Sequence, residues 1–190
     1  LINNAGALFA TREETAEGFE QALAVNFLAP VLLSKLLDGH FTDASRVINV
    51  VSGGLYFQGV NLDDLQFRNE AYDGSKAYAR AKRALLYMSQ ENTGKTSYYT
   101  MHPGWAATPG VAKSLPAFNK KLKHFMRDGR MGADTMIWLA TAPELSRSDR
   151  AELWFDRQPH TCDVLPGTKS STAEIQQLRN WTLATLSRFE

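Results

Sequence analysis

Three residues of this chain have the types and spacing that general acid–base chemistry needs. Tyr78 precedes Lys82 by four residues, so on a helix both side chains project from one face. Free tyrosine has a pKa near ~10, and a neighbouring ammonium group stabilises the phenolate and lowers that pKa. Ser52 closes a β-branched run, and its hydroxyl can donate to an oxyanion that develops beside it. Together the three side chains predict a proton-transfer site, although each alone is common in turns or on half-exposed helices.

A second tyrosine with the same spacing competes for the role of acid. Tyr72 precedes Lys76 by four residues. Asp73 or Ser75 is suited to cap the following helix, which places Tyr72 before the helix, where a spacing of four sets no fixed geometry. Tyr78 lies inside the predicted helix, so we expect Tyr78 to be the acid.

Asn26 is a polar amide in an otherwise apolar helical stretch, and it allows two interpretations. A buried amide must find hydrogen-bond partners, so Asn26 can be a satisfied structural residue. Alternatively, it provides a carbonyl that anchors water for a proton relay to Lys82. The residues themselves leave both interpretations open.

Other common catalytic motifs are not present in the sequence. Ser52 lacks the Gly-x-Ser-x-Gly pattern of a nucleophile elbow, because position 50 is valine. The four histidines have no metal-ligand spacing, and Cys162 is the only cysteine. No Gly-x-x-x-x-Gly-Lys phosphate loop is present. We therefore expect no metal at the site.

The composition is that of one globular domain over residues 1–190. Basic and acidic residues number 21 and 20, so nothing in the net charge indicates a nucleic-acid partner. A single cysteine excludes an intrachain disulfide and favours a reducing, intracellular compartment. The most apolar stretch, residues 22–37, contains Asn26 and Lys35 and is too short for a comfortable membrane span.

Strands alternate with helices in the predicted order of elements. The pattern predicts strands at 1–4, 45–52, 96–101 and 151–155 and helices at 14–37, 74–91, 131–142 and 172–188. This order favours right-handed crossovers and a parallel α/β sheet, in which the site lies beyond the carboxyl ends of the strands. Asn3-Asn4, Ser52 and Pro103-Gly104 all fall at such ends.

Taken together, these residues resemble the short-chain dehydrogenase/reductase superfamily over almost the whole chain. The matching segments are Asn3-Asn4-Ala5-Gly6, Val25-Asn26, residues 46–52 with Ser52, the pair Tyr78 and Lys82, and His102-Pro103-Gly104-Trp105 followed by Thr108. The interval between Ser52 and Tyr78 is similar to that of the retinol-dehydrogenase-like branch. The resemblance implies an α/β fold that is the C-terminal part of a Rossmann-like doubly wound parallel sheet, with the first three strands missing.

The start of the chain carries a related expectation. It lacks an initiator methionine and runs directly into Asn-Asn-Ala-Gly, so we expect an N-terminal portion with the Gly-rich turn to be missing. We accordingly expect residues 1–190 alone to be marginally stable, to self-associate and to bind no dinucleotide.

The resemblance also implies an oxidoreductase that transfers a hydride between NAD or NADP and an alcohol or carbonyl substrate of lipophilic character. Tyr78 would protonate the carbonyl oxygen, Ser52 would orient it, and Lys82 would lower the tyrosine pKa and bind the cofactor ribose. Asn26 would complete a water relay. The residues implied in cofactor binding are Asn3, Asn4, Ala5, Gly6, Tyr78, Lys82, Pro103, Gly104 and Thr108.

Two other classes of protein are alternatives. A reductase-like fold can be retained for binding or interaction without catalysis. An epimerase or dehydratase can instead use the cofactor transiently, and stoichiometric cofactor oxidation or reduction separates it from a dehydrogenase.

The segment after Thr108 carries apolar residues at helical spacing and an excess of positive charge. The apolar residues are Phe118, Leu122, Phe125 and Met126, and the charged ones are Lys113, Lys120, Lys121, Lys123, Arg127 and Arg130 against Asp128. An ordinary surface helix is the first explanation of this pattern. As a hypothesis, residues 112–130 form a mobile lid over a lipophilic substrate, with peripheral contact to anionic lipid.

Overall fold

The computed structural model describes residues 1–92, 94–107, 126–145 and 153–189. Among these residues, five strands form one sheet in the order of the chain, and all neighbours are parallel except the last pair. The strands are β1 (Ile2–Asn3), β2 (Arg46–Val50), β3 (Ser97–Met101), β4 (Leu153–Phe155) and β5 (Gln158–His160). The predicted α/β class with a parallel sheet is confirmed, and β5 is an addition that the sequence pattern does not predict.

Helices occupy the connections between these strands. Within the described residues they are α1 (Gln21–Leu23), a π-helix (Ala24–Leu28), α2 (Ala29–Leu36), α3 (Gly74–Gln90), α4 (Gly129–Thr141) and α5 (Thr172–Leu186). The first three form one continuous helical run. Short 3-10 turns lie at Asp38–His40, Gly53–Phe57, Leu62–Asp64 and Ser187–Phe189.

The predicted start of the first helix at residue 14 is wrong. The helix begins at Gln21, immediately after Glu20. The Glu20 carboxylate accepts the backbone N–H groups of Ala22 and Leu23, both at 2.7 Å, and so caps the helix at this point. The other predicted boundaries that the described residues test agree with the structure within two residues.

Helices cover both faces of the sheet. On one face, Ile48 and Val50 of β2 pack with residues of β3 and β4 against Leu139 of α4. On the other face, α3 packs against the first helical run and against α5. Ala81 and Ala84 of α3 are buried there, and their small side chains permit close packing. This packing fixes α3 beside β2.

A chain of buried polar side chains links β1 to the helices on the α3 face. Asn3 donates through Nδ2 to Ser34 Oγ at 3.1 Å and to Asn49 Oδ1 at 2.7 Å. Asn49 in turn donates to Ser89 Oγ of α3 at 2.7 Å. All four side chains are buried, so the network specifies how β1, β2 and α3 align.

The membrane-related expectations meet the structure only in part. None of the helices within the described ranges is long and apolar enough to span a membrane. Residues 108–125 lie outside those ranges, and with them lie Thr108 and most of the proposed lid segment.

Candidate active site

The side chains of Ser52 and Tyr78 meet at the carboxyl edge of the sheet. Ser52 follows β2 and begins the 3-10 turn Gly53–Phe57, where its Oγ accepts the Gly54 N–H at 3.3 Å. The Ser52 side chain also interacts with the Tyr78 hydroxyl of α3 in a way that favours the phenolate. A Cβ on Gly54 would lie 3.6 Å from Ser52 Oγ and 3.5 Å from Ala79 Cβ, so this turn packs directly onto α3.

Lys82 lies one helical turn after Tyr78 and has 2% of its surface exposed. Its ammonium donates to the Val50 carbonyl at 2.9 Å, and Nζ lies 5.7 Å from the centroid of the Tyr78 ring. Burial lowers the pKa of Lys82 to about 8. The last residue of β2 therefore anchors the charged end of Lys82 beside the tyrosine.

The pKa of Tyr78 differs from the expectation drawn from the sequence. Burial raises this pKa above the ordinary value of 10.0, and the interaction with Ser52 offsets only part of the rise. The expected lowering by Lys82 is wrong for this arrangement, because the ammonium is directed at the Val50 carbonyl. The cost of burying a phenolate is the larger effect.

The amide of Asn26 is engaged by backbone groups. Oδ1 accepts the Ala7 N–H at 3.1 Å, and Nδ2 donates to the carbonyls of Ala7 and Ala22 at 2.8 and 2.9 Å. These bonds fix the loop after β1 to the first helical run. The side chain thus supports the structural alternative for Asn26.

The backbone carbonyl of Asn26 is a separate group with a different environment. In an α-helix it would accept the N–H of the residue four positions later, but that residue is Pro30, which has no N–H. The helix widens here, and the Ala29 N–H donates to the Ala24 carbonyl five residues back. The Asn26 carbonyl therefore lacks its α-helical donor, and the Asn-x-x-x-Pro spacing signals this in the sequence.

The loop Asn4-Ala5-Gly6 is exposed and passes close to Lys82. A Cβ on Gly6 would lie 2.9 Å from Asn26 Oδ1 and 3.2 Å from Lys82 Nζ, so a larger residue would crowd both groups. The absence of a side chain at Gly6 leaves space between the Lys82 ammonium and the exposed backbone of residues 4–6. Asn3 does not share this position, because its amide is buried in the polar network.

Tyr72 lies before α3, as predicted. Asp73 caps the helix by accepting the Lys76 N–H at 3.0 Å. The Tyr72 hydroxyl donates to the Glu20 carboxylate at 3.0 Å, and burial together with that carboxylate raises the pKa of Tyr72. This hydrogen bond gives Tyr72 a structural partner, which distinguishes it from Tyr78.

The turn after β3 lies at the same edge of the sheet. Gly104 has a φ of +72°, a left-handed conformation that suits glycine. A Cβ at this position would also lie 2.9 Å from Arg127 Nε and 3.0 Å from a ring carbon of Phe155. Both constraints make glycine necessary for the turn that the sequence predicts at Pro103-Gly104.

His102 and Tyr56 are two further polar side chains for which the sequence pattern predicts no function. The structure places both beside the turn that follows Ser52. Their rings make edge contact with centroids 5.6 Å apart, and Tyr56 Oη lies 3.3 Å from His102 Nε2. The sequence feature that could have indicated His102 is its position directly between β3 and Pro103, at the carboxyl end of a strand.

The polar groups at this edge fit an organic ligand with hydroxyl groups. They comprise the Lys82 ammonium, the Ser52 and Tyr78 hydroxyls, and the exposed backbone at 4–6. Among the described residues, no group of three or more His, Cys, Asp or Glu side chains could hold a metal ion.

No protein-family model matches the chain. The chain is nevertheless similar, over almost its whole length, to members of the short-chain dehydrogenase/reductase superfamily. Within this superfamily the chain resembles dehydrogenase/reductase family member 12 in particular, in residues 52–54, 102–106, 132–136 and 155–159. Comparison with curated proteins confirms this resemblance. The chain is 37% identical to "Dehydrogenase/reductase SDR family member 12" of Bos taurus over 184 residues. The match covers 94% of this chain and 58% of the relative, so the chain spans less than two thirds of that protein.

Solved structures show the same fold. An uncharacterised protein from Mycobacterium Paratuberculosis aligns with a TM-score of 0.73 and 22% identity, covering 98% of this chain and 66% of that one. The angucycline C-6 ketoreductase LanV, crystallised with bound NADP, aligns with a TM-score of 0.58 and 21% identity. That alignment covers 80% of this chain and 58% of LanV.

Proposed function

We propose that this chain carries the catalytic groups of an oxidoreductase that interconverts an alcohol and a carbonyl. One observation carries the proposal: the Ser52 side chain interacts with the Tyr78 hydroxyl, and the buried Lys82 ammonium lies 5.7 Å from the centroid of the tyrosine ring. Burying a charged lysine costs free energy because the ammonium loses its water. A protein that kept this fold only for binding would have no need to bear that cost at this edge.

Proton transfer is the part of the reaction that these side chains can perform. Tyr78 would donate its proton to the carbonyl oxygen during reduction and accept the hydroxyl proton during oxidation. Ser52 would orient the same oxygen from the adjacent turn. Lys82, with a pKa of about 8, is mostly protonated at neutral pH.

A water molecule held by the Asn26 backbone carbonyl would return protons to Lys82. This carbonyl has no α-helical donor, because Pro30 occupies the donor position. The Asn26 side chain holds the loop after β1 near Lys82 and leaves the backbone carbonyl for this second role.

The proposed cofactor is NAD or NADP. When bound, it would supply or accept the hydride. Lys82 and the exposed loop Asn4-Ala5-Gly6 would bind its ribose, and Pro103-Gly104 would contact its nicotinamide end. Asn3 would act indirectly by supporting that loop, and Thr108 belongs to the proposal by family resemblance. The bound NADP of the LanV structure supports this class of cofactor.

The proposed substrate is lipophilic. Large apolar side chains are exposed after the strand ends and in the C-terminal segment: Phe57 (63%), Trp105 (48%), Val164 (57%) and Leu165 (40%). The first and last of these segments are neighbours, because a Cβ on Gly59 would lie 3.2 Å from the carbonyls of Gly167 and Thr168. Peripheral contact of residues 112–130 with anionic lipid is part of the same proposal.

Replacement of the acid tests the proposal directly. In a form of the protein that binds the dinucleotide, Tyr78→Phe removes only the transferable proton, so it should lower turnover by orders of magnitude and leave cofactor affinity largely unchanged. The measurement is the change in nicotinamide absorbance with alcohol and carbonyl substrates, together with calorimetric titration of the dinucleotide.

Tyr72→Phe is the matched control, because Tyr72 precedes a lysine at the same spacing but donates to Glu20. It should reduce turnover only mildly. Near-normal turnover in Tyr78→Phe, or a reversal of the two phenotypes, would overturn the assignment of the acid. Substrate conversion without net cofactor oxidation or reduction would indicate an epimerase or dehydratase.

A further inference from the structure

His102 reaches two turns of the catalytic edge at once. Only 7% of its surface is exposed. Nε2 lies 3.3 Å from the Tyr56 hydroxyl, which belongs to the turn after Ser52, and Nδ1 lies 3.3 Å from the Gly104 nitrogen. The ring therefore bridges the turn that presents Ser52 and the turn that follows β3.

The two contacts specify one tautomer of His102. A backbone N–H can only donate, so the bond from Gly104 requires an unprotonated Nδ1. The neutral ring then carries its proton on Nε2 and donates it to Tyr56 Oη. The proton of the Tyr56 hydroxyl is not consumed in this bond.

Neighbouring side chains hold the ring in this orientation and keep it neutral. His102 stacks on Phe155 with centroids 4.4 Å apart and planes at 8°. The Arg127 guanidinium lies 4.4 Å from the Phe155 centroid and pairs with Asp156. Burial lowers the pKa of His102 to about 4, and the charges of His160 and Arg127 act in the same direction against Asp156.

We propose that His102 is a positioning residue that sets the distance between the Ser52 turn and the Gly104 turn through its Nε2-protonated tautomer. The inference rests on the proposed function, in which these two turns face the substrate oxygen and the nicotinamide end. Because the ring bridges elements that are not otherwise adjacent in sequence, it limits their independent motion. Catalysis depends on such fixed geometry.

Two substitutions separate the two contacts. In His102→Asn, Oδ1 replaces Nδ1 as the acceptor for Gly104, but the side chain no longer reaches Tyr56. In His102→Gln, the amide reaches Tyr56 but places no acceptor at the Nδ1 position. We expect His102→Asn to lower kcat about fivefold to tenfold with little change in cofactor KM, as for loss of one neutral hydrogen bond. His102→Gln should raise cofactor KM by about the same factor.

A spectroscopic readout on the full chain without dinucleotide tests the bridge independently of turnover. The ¹⁵N NMR chemical shifts of the His102 ring should report the neutral Nε2-protonated tautomer between about pH 5 and 8, the range in which an ordinary histidine titrates. Tyr56→Phe should change the Nε2 shift and lower kcat as His102→Asn does. His40→Gln, at an exposed position in the turn Asp38–His40, is the control and should change neither quantity.

Each outcome decides one part. The Nδ1-protonated tautomer, or a ring that titrates at the ordinary histidine pKa, would overturn the bridge. Equal effects of Asn and Gln on kcat and KM would overturn the division of labour and indicate a merely structural histidine. A protein that binds the dinucleotide and shows the expected tautomer but no dehydrogenase activity would instead overturn the proposed function, and the positioning role with it.

Discussion

Burial lowers the pKa of Lys82 to about 8 and that of His102 to about 4. Desolvation disfavours the charged form of each group, yet the consequences at neutral pH differ. His102 is uncharged and can act as a fixed donor and acceptor. Lys82 stays mostly protonated, and the fold must accommodate its charge. At the scale of single residues, the buried ammonium beside Tyr78 therefore lowers the free energy of unfolding.

This effect gives a prediction for Lys82→Met. The folded-state pKa of about 8 lies below the ordinary 10.5, so at pH 7 the protein carries the cost of a buried ammonium. Methionine removes this cost but leaves the Val50 carbonyl without its donor. We expect a net gain on the order of 1 kcal/mol in the free energy of unfolding at pH 7, with loss of turnover.

The pH dependence provides the check on Lys82→Met. Between pH 8 and 10.5 the folded protein releases the Lys82 proton while the unfolded chain retains it, so wild-type stability rises with pH. The advantage of methionine in urea denaturation should therefore shrink across this interval. An advantage that stays constant from pH 7 to 10.5 would show that the ammonium is not the source of the difference.

At the scale of elements, the π-helix is the feature that most directly joins fold to mechanism. It occurs where Pro30 cannot donate to Asn26, and the Asn26 amide within it hydrogen-bonds the loop after β1. A regular α-helix would satisfy the Asn26 carbonyl internally. The irregularity thus has a local cause in the sequence, because proline stands where the α-helical donor to the Asn26 carbonyl would be.

Pro30→Ala tests this interpretation of the π-helix. Alanine restores an N–H at the position that donates to the Asn26 carbonyl in an α-helix. We expect turnover to fall about tenfold, because the restored N–H occupies the Asn26 carbonyl. The thermal midpoint should stay close to that of the wild type. Leu33→Ala on the same helix, at a side chain 44% exposed, should leave turnover unchanged. Unchanged turnover in Pro30→Ala would remove the carbonyl from the mechanism.

The β4–β5 hairpin shows why one element cannot be predicted from the sequence pattern. Asp156 and Arg157 form its turn with φ of 50° and 57°, a conformation that usually calls for asparagine or glycine. Ion pairs of Arg127 with Asp156 and of Arg157 with Asp134 hold the turn. These partners lie more than twenty residues away, so no local pattern announces the hairpin. Periodicity does predict α3, because its apolar face and its Asp73 cap are local.

At the scale of the whole molecule, the sequence predicts the parallel sheet and the assembly of Ser52, Tyr78 and Lys82 at its carboxyl edge. Strand order follows from alternating elements, and residues at strand ends meet because parallel strands end at one edge. The direction of the Tyr78 pKa shift could not be predicted in this way. It depends on burial by residues distant in sequence, which spacing along α3 does not show.

Arg83 is the side chain that connects the site to the C-terminal segment. It is fully buried and donates to the carbonyls of Leu55 and Cys162 at 3.0 and 3.1 Å. It also pairs with Asp163 and donates to the Tyr87 hydroxyl at 2.9 Å. One guanidinium thus holds α3, the turn after Ser52 and the chain before α5 together.

Arg83→Met should therefore destabilise the whole molecule, because it leaves several buried acceptors without a donor. We expect a loss of about 3 kcal/mol or more in the free energy of unfolding, measured by urea denaturation at pH 7. Lys169→Met removes the second cation near Asp163, but that side chain is 74% exposed, so its loss should fall within about 0.5 kcal/mol. Equal midpoints for the two variants would mean that Arg83 fills space without joining these segments.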